Sequence, residues 1–122
     1  MLINSIKSIR IRKMRRKIGF NYKGKEIILE AREMKGLNKM LGLIFYKEIL
    51  LFDFSKLTKM RIHSLFCPRF LAIWLDGENR VVDLRIVEPW NFSVSSRKTF
   101  SKLVEIPINS RYSSLVEKLV PF

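Results

Sequence analysis

The stretch RIHSLFCPRF LAIWLDGENR VVDLRIVEPW, residues 61 to 90, decides the fold. Two apolar runs, Phe70 to Leu75 and Val81 to Val87, flank Asp76, Gly77, Glu78 and Asn79, residue types that tolerate tight turns and positive φ. The pattern predicts an antiparallel hairpin in the middle of a sheet. In its first strand Phe70, Ala72 and Trp74 alternate with Leu71, Ile73 and Leu75, so both faces are apolar, as a strand covered on both sides requires.

Upstream of the hairpin, Ile49 to Phe54 reads as a strand, and Met60 to Cys67 as another, ended by Pro68, which has no amide hydrogen for a ladder. Ile18 to Tyr22 and Glu26 to Ala31 read as a first hairpin joined at Lys23, Gly24 and Lys25. Between them, Leu37, Met40, Leu41, Ile44 and Phe45 recur at three- and four-residue steps, which predicts a short amphipathic helix from about Asn38. Downstream, Pro89 and Trp90 break the pattern and a Ser-rich connector follows. Phe100 to Ile108 then returns to strand character. Asn109 or Ser110 is placed to cap a final helix through Leu115, Val116 and Leu119. The fold expected is α+β and mainly β, a compact antiparallel, barrel-like sheet with one or two short helices.

A chain of 122 residues holds one ordinary domain. Its charge is unevenly placed. Residues 1 to 25 contain nine Lys or Arg and no acid, out of a total net charge of +13; the other 15 bases meet all 11 acids, a net of +4. The expected organisation is a basic segment over residues 1–17, whose isoleucines fit either a helical or a strand spacing, and a single β-rich domain over 18–122. The longest apolar runs fall far short of the roughly 20 residues that cross a bilayer, and the basic start lacks the order of a secretory signal. No membrane association is expected, and the cytoplasm is the expected compartment; the single cysteine, Cys67, agrees with a reducing one.

The polar residues form no recognisable catalytic motif. His63 is the only histidine, and on a strand it would stand about 13 Å from Cys67, too far to share a zinc ion. Cys67 among Leu65, Phe66 and Pro68 reads as a buried small hydrophobe. Asp53 alternates with Phe52 and Phe54 and reads as solvated. Asp76 and Glu78 read as turn residues, and Asp83 with Arg85 as a solvated edge. The five glycines are scattered, so no phosphate loop is present. No cofactor or metal is expected.

Five short pieces, taken in order, resemble the domain of unknown function family 192 in its archaeal form. They are Gly42 to Tyr46, Ile62 to Phe66, Phe70 to Asp76 with Val81 and Val82, Pro89 with Trp90, and Leu103 to Pro107, the last similar to the family's Leu-Glu-Leu-Pro strand. The likeness spans roughly residues 18 to 120. It implies a compact, largely β domain without an established activity. The chain departs from the family pattern where Tyr46 replaces an Arg, and where Phe70 or Leu71 stands in place of an Asp before the central strand.

Trp90, in a polar loop after Pro89, is the leading candidate for a ligand contact, because an exposed aromatic stacks on a sugar or base. The alternative is a core plug closing the sheet. The functional expectation is a non-enzymatic module with a shallow pocket near Trp90, His63 and Tyr46 for a small polar ligand or a protein partner. Two alternatives stay open. One is an enzyme using His63 with Asp76 or Glu88. The other is sequence-independent nucleic-acid binding through Arg10, Arg12, Lys13, Arg15, Arg16 and Lys17.

Overall fold

The computed structural model describes residues 15–34, 47–62, 64, 67–91 and 93–120. Six strands form one sheet: β1 Arg15–Tyr22, β2 Lys25–Met34, β3 Leu50–Thr58, β4 Phe70–Leu75, β5 Val81–Val87 and β6 Phe100–Pro107, followed by helix α1, Ser113–Leu119. Their order across the sheet is β1-β2-β3-β6-β4-β5, antiparallel except at β2–β3. A parallel bridge between Asn21 and Arg80 brings the two edge strands together, so the sheet curls into a half-barrel. The mainly β, barrel-like class expected from the sequence is the class observed. The described part contains one short helix; the helix expected from Asn38 lies outside the described residues.

Local chemistry explains the turns. Tyr22 pairs with Lys25, which leaves a two-residue loop of Lys23 (φ 51°) and Gly24 (φ 78°), the double positive φ of a hairpin turn whose twist matches its strands. In the β4–β5 turn the positive φ falls on Asn79 (61°), and Asp76 holds the loop by accepting the N–H groups of Glu78 and Arg80, each at 2.9 Å. Ahead of α1, Asn109 Oδ1 accepts from the amides of Arg111 at 3.0 Å and Tyr112 at 3.3 Å. Asn109 thus closes the entering turn, and the helix start itself has no side-chain cap.

All six residues of β4 are buried. Leu71, Ile73 and Leu75 join Ile18, Phe20, Leu29, Leu51, Val104 and Ile106 in a core that Val116 and Leu119 of α1 also enter. Phe70, Ala72 and Trp74 belong to a second core with Met34, Leu50, Phe52, Phe100 and Leu103. The strand is therefore covered on both faces, as its sequence requires. Three expectations change. β5 lies at an edge, and the centre belongs to β6, which pairs with both β3 and β4. Met60 to Cys67 forms no strand among its described residues; Ile62 makes a single bridge to Val94, and Ser64 turns its hydroxyl to loop backbone instead. Asp53 is half-buried rather than solvated, because Arg16 Nη1 bonds it at 2.8 Å.

Candidate functional site

The polar features gather on the side of the sheet that carries the second core. Ser64 is fully buried beneath a loop. Its hydroxyl donates to Glu88 O at 2.7 Å and accepts the Asn91 N–H at 2.8 Å, while its backbone bonds Asn91 O at 2.9 Å and receives the Trp90 N–H at 3.2 Å. Asn91 Nδ2 adds a bond to Glu88 O at 3.0 Å. This lattice holds Trp90 at φ 67°, a left-handed conformation that costs a bulky L-residue roughly 1–2 kcal/mol. The indole is turned outward, with the residue 59% exposed. Trp90 is therefore a presented aromatic and does not plug the core.

A shallow cleft of about 280 Å³ begins one residue past Trp90, lined by Arg85, Ile86, Val87, Asn91, Ser93, Val94 and Ser95. Arg85 lies 5.1 Å over the buried Trp74 ring, donates to Ser95 O, and pairs with Asp83 at 3.4 Å. Asp83 is not on a solvated edge. It is buried and accepts the amides of Leu84 and Arg97, each at 2.9 Å, which anchors the connector after the loop.

Glu105 was not distinguished by sequence reasoning from the strand around it. In the ladder it lies between Leu50 of β3 and Ala72 of β4, 6% exposed, and its carboxyl has no hydrogen-bond or ion-pair partner among the described residues. Burial pushes it up to about 8, so it is a neutral acid at pH 7. Burial, and secondarily the nearby Glu105, push the Cys67 thiol up to about 11. Such a thiol is largely protonated at neutral pH and a poor nucleophile. Arg69 does not lower it; its guanidinium bonds Glu88 at 2.7 Å instead. Trp74 Nε1 is likewise buried without a partner among the described residues. An acid in an apolar run, as in Leu103-Val104-Glu105-Ile106, is the signal that could have found this group.

Of the residues expected at a ligand site, Trp90 is among the described residues; His63 and Tyr46 lie outside them, as do Arg10, Arg12 and Lys13. Arg15 and Arg16 are in β1 and engaged with acids, Arg15 with Glu48 at 3.1 Å and Arg16 with Glu33 and Asp53 at 2.8 Å each. Lys17 is exposed. The carboxylates expected as partners of His63 have other work: Asp76 holds its turn and Arg80, and Glu88 pairs with Arg69. Among the described residues no cluster of His, Cys, Asp and Glu could hold a metal ion, and no helix is long and apolar enough to cross a membrane.

No family model matches the chain. Over 81 residues it is 36% identical to a UPF0127 protein of Pyrococcus furiosus, a match covering 62% of this chain and 70% of that one. Two crystal structures share the fold. A candidate transcription regulator of Sinorhizobium meliloti aligns with a TM-score of 0.66 at 13% identity over 84% of this chain and 85% of its own. A protein of unknown function from Novosphingobium aromaticivorans aligns with a TM-score of 0.66 at 11% identity over 84% and 79%.

Proposed function

Because the chain belongs to the UPF0127 family, we propose that it is a small non-enzymatic binding domain that takes a polar ligand across Trp90. The finer placement, a divergent archaeal-type member of the domain of unknown function family 192, is part of the same reading and is supported by the archaeal relative. The observation that carries the function is the strained, outward Trp90 held by the buried Ser64. Backbone strain of this kind persists only where surrounding bonds over-determine it, and it concentrates at ligand contacts. An exposed indole stacks on a sugar or base, and Arg85, Asn91 and Ser93 supply donors and acceptors in the adjoining cleft. His63 and Tyr46 complete the proposed set.

The test is native mass spectrometry of small molecules that co-purify with the chain, repeated on Trp90→Gly. Glycine adopts φ 67° without the steric penalty but loses more entropy on folding, so stability should stay within about 1 kcal/mol of the parent. The expected result is a bound mass in the parent that is lost in the variant. An equal bound mass in both proteins would remove Trp90 from the site, and no bound mass in either would remove the small-ligand reading.

A further inference from the structure

The sheet ends in β1 on one side and β5 on the other, and the two edges differ in chemistry. β1 carries Arg15, Arg16 and Lys17, bases that discourage pairing with a second basic chain. β5 has neither Lys nor Pro, and its Val81, Val82, Leu84 and Ile86 are half-buried. The bridge from Asn21 reaches Arg80, one residue before the strand, and leaves the rest of the edge uncovered. The phase of the ladder shows what β5 turns outward. Ile108 donates its N–H to Arg69 O at 3.0 Å, one step from the pair of Phe70 with Pro107. Backbone direction alternates along an antiparallel strand, so Leu71 and Ile73 bond β6 whereas Phe70 and Ala72 bond β5. Leu84 and Ile86 stand opposite Ile73 and Leu71 and therefore point their N–H and C=O groups away from the sheet.

At Leu84 that edge is closed by a side chain. Asp83 Oδ1 accepts the Leu84 N–H at 2.9 Å, Oδ2 accepts the Arg97 N–H at 2.9 Å, and the Asp83 side chain is 4% exposed. The carboxylate thus stands where the carbonyl of a further strand would stand, and it ties the connector down beside β5. Ile86, two residues on, has no backbone bond outside the sheet among the described residues.

We propose that Asp83 bars β5 from a second copy of this chain, and that with its carboxylate withdrawn two β5 strands pair antiparallel about Leu84. The strand suits that partner, because its apolar residues Val81, Val82, Leu84, Ile86 and Val87 are spaced alike from either end, as a two-fold interface requires. The two Leu84 residues exchange N–H and C=O across the axis. Charge selects the partner strand: Arg85 is the single base of β5, whereas β1 of a second copy would set three bases against it. The bulge at Val82 confines regular pairing to the stretch after it, so the interface is short and its affinity modest.

Sedimentation velocity of the full chain over a concentration series is the test, in enough salt to screen the net charge of +13. The parent should sediment as a monomer, and Asp83→Ala as a dimer whose share grows with concentration. Asp83→Val, with a strand-forming side chain, is the second variant and should dimerise as well. Asp83→Asn retains an oxygen for the Leu84 N–H and should stay a monomer. Adding Ile86→Pro to either dimer should restore the monomer, because proline lacks the N–H the new ladder needs and the one it removes makes no bond to β4. Hydrogen exchange reads the same edge in the parent: relative to its intrinsic rate, the Leu84 amide should exchange about tenfold more slowly than the Ile86 amide, the protection of one bond to a charged group. The proposal is overturned if the parent is already a dimer, or if Asp83→Ala or Asp83→Val folds and stays monomeric at every concentration. Association that survives Ile86→Pro, or equal protection of Leu84 and Ile86 in the parent, would overturn it too.

Discussion

Glu105 carries a pH dependence whose sign follows from its surroundings. In the unfolded chain its carboxyl titrates near its ordinary value of 4.5, whereas burial raises it to about 8 in the folded protein. Between those values the folded state binds one proton more than the unfolded state, so stability falls as pH rises through the window. The slope is about 1.4 kcal/mol per pH unit for one such proton. Glu105→Gln keeps the shape and removes the titration. The variant should therefore match the parent near pH 4.5 and become progressively more stable than it toward pH 8, measured by urea unfolding at each pH. A constant difference between the two proteins across that range would show that Glu105 stays ionised in the fold. The local sequence shows only an acid within an apolar run, which is harmless at an edge and strained at the centre. Only the pairing of β6 with both β3 and β4 decides which. Trp90 was legible for the opposite reason: a large aromatic between Pro89 and Asn91, in a polar loop, is out of place on local grounds alone.

Among the elements, those held by local pattern were readable. The β4–β5 hairpin, the β1–β2 hairpin and β6 all lie where alternation and turn residues put them. Met60 to Cys67 alternates as well as they do, yet Ser64 there finds its bonding partners at Glu88 and Asn91, residues far along the chain that no window on the sequence contains. Here the bonds of a buried hydroxyl to distant loop backbone take the place of a ladder. Asp83 was misjudged on the same account, its partner Arg97 lying 14 residues away. The register of β4 is testable at Ile73, which is fully buried and pairs with Leu84 on one side and Val104 on the other. Ile73→Ala should lower stability by about 2 to 5 kcal/mol through the cavity it leaves. A chemical denaturation curve showing a loss below about half a kcal/mol, the range of ordinary surface substitutions, would be incompatible with this register.

At the scale of the whole molecule, the strongly basic start of the chain runs into the sheet. The sheet reaches back to Arg15, three residues into the basic segment expected over residues 1–17, and there Arg15 and Arg16 face Glu48, Glu33 and Asp53. Of the seven bases between Lys7 and Lys17, Arg15 and Arg16 are engaged within the fold, so at most the other five, Lys7, Arg10, Arg12, Lys13 and Lys17, can serve a phosphate backbone. Each phosphate neutralised contributes about 0.9 to the fall of log affinity with log salt on duplex DNA, so five contacts set a ceiling near 4.5. Nucleic-acid binding of this sort would be weak and indifferent to sequence, since no aromatic precedes Phe20 to stack on bases. The measurement is fluorescence anisotropy of a DNA fragment across a salt series. The full chain is compared with a truncation lacking residues 1–14, which leaves β1 whole. A slope of about 3 to 4.5 for the full chain, and its collapse in the truncated one, is the expected result. Equal binding by the two proteins, or none by either in low salt, would assign the basic segment no role with nucleic acid and leave its charge a matter of solubility and steering alone.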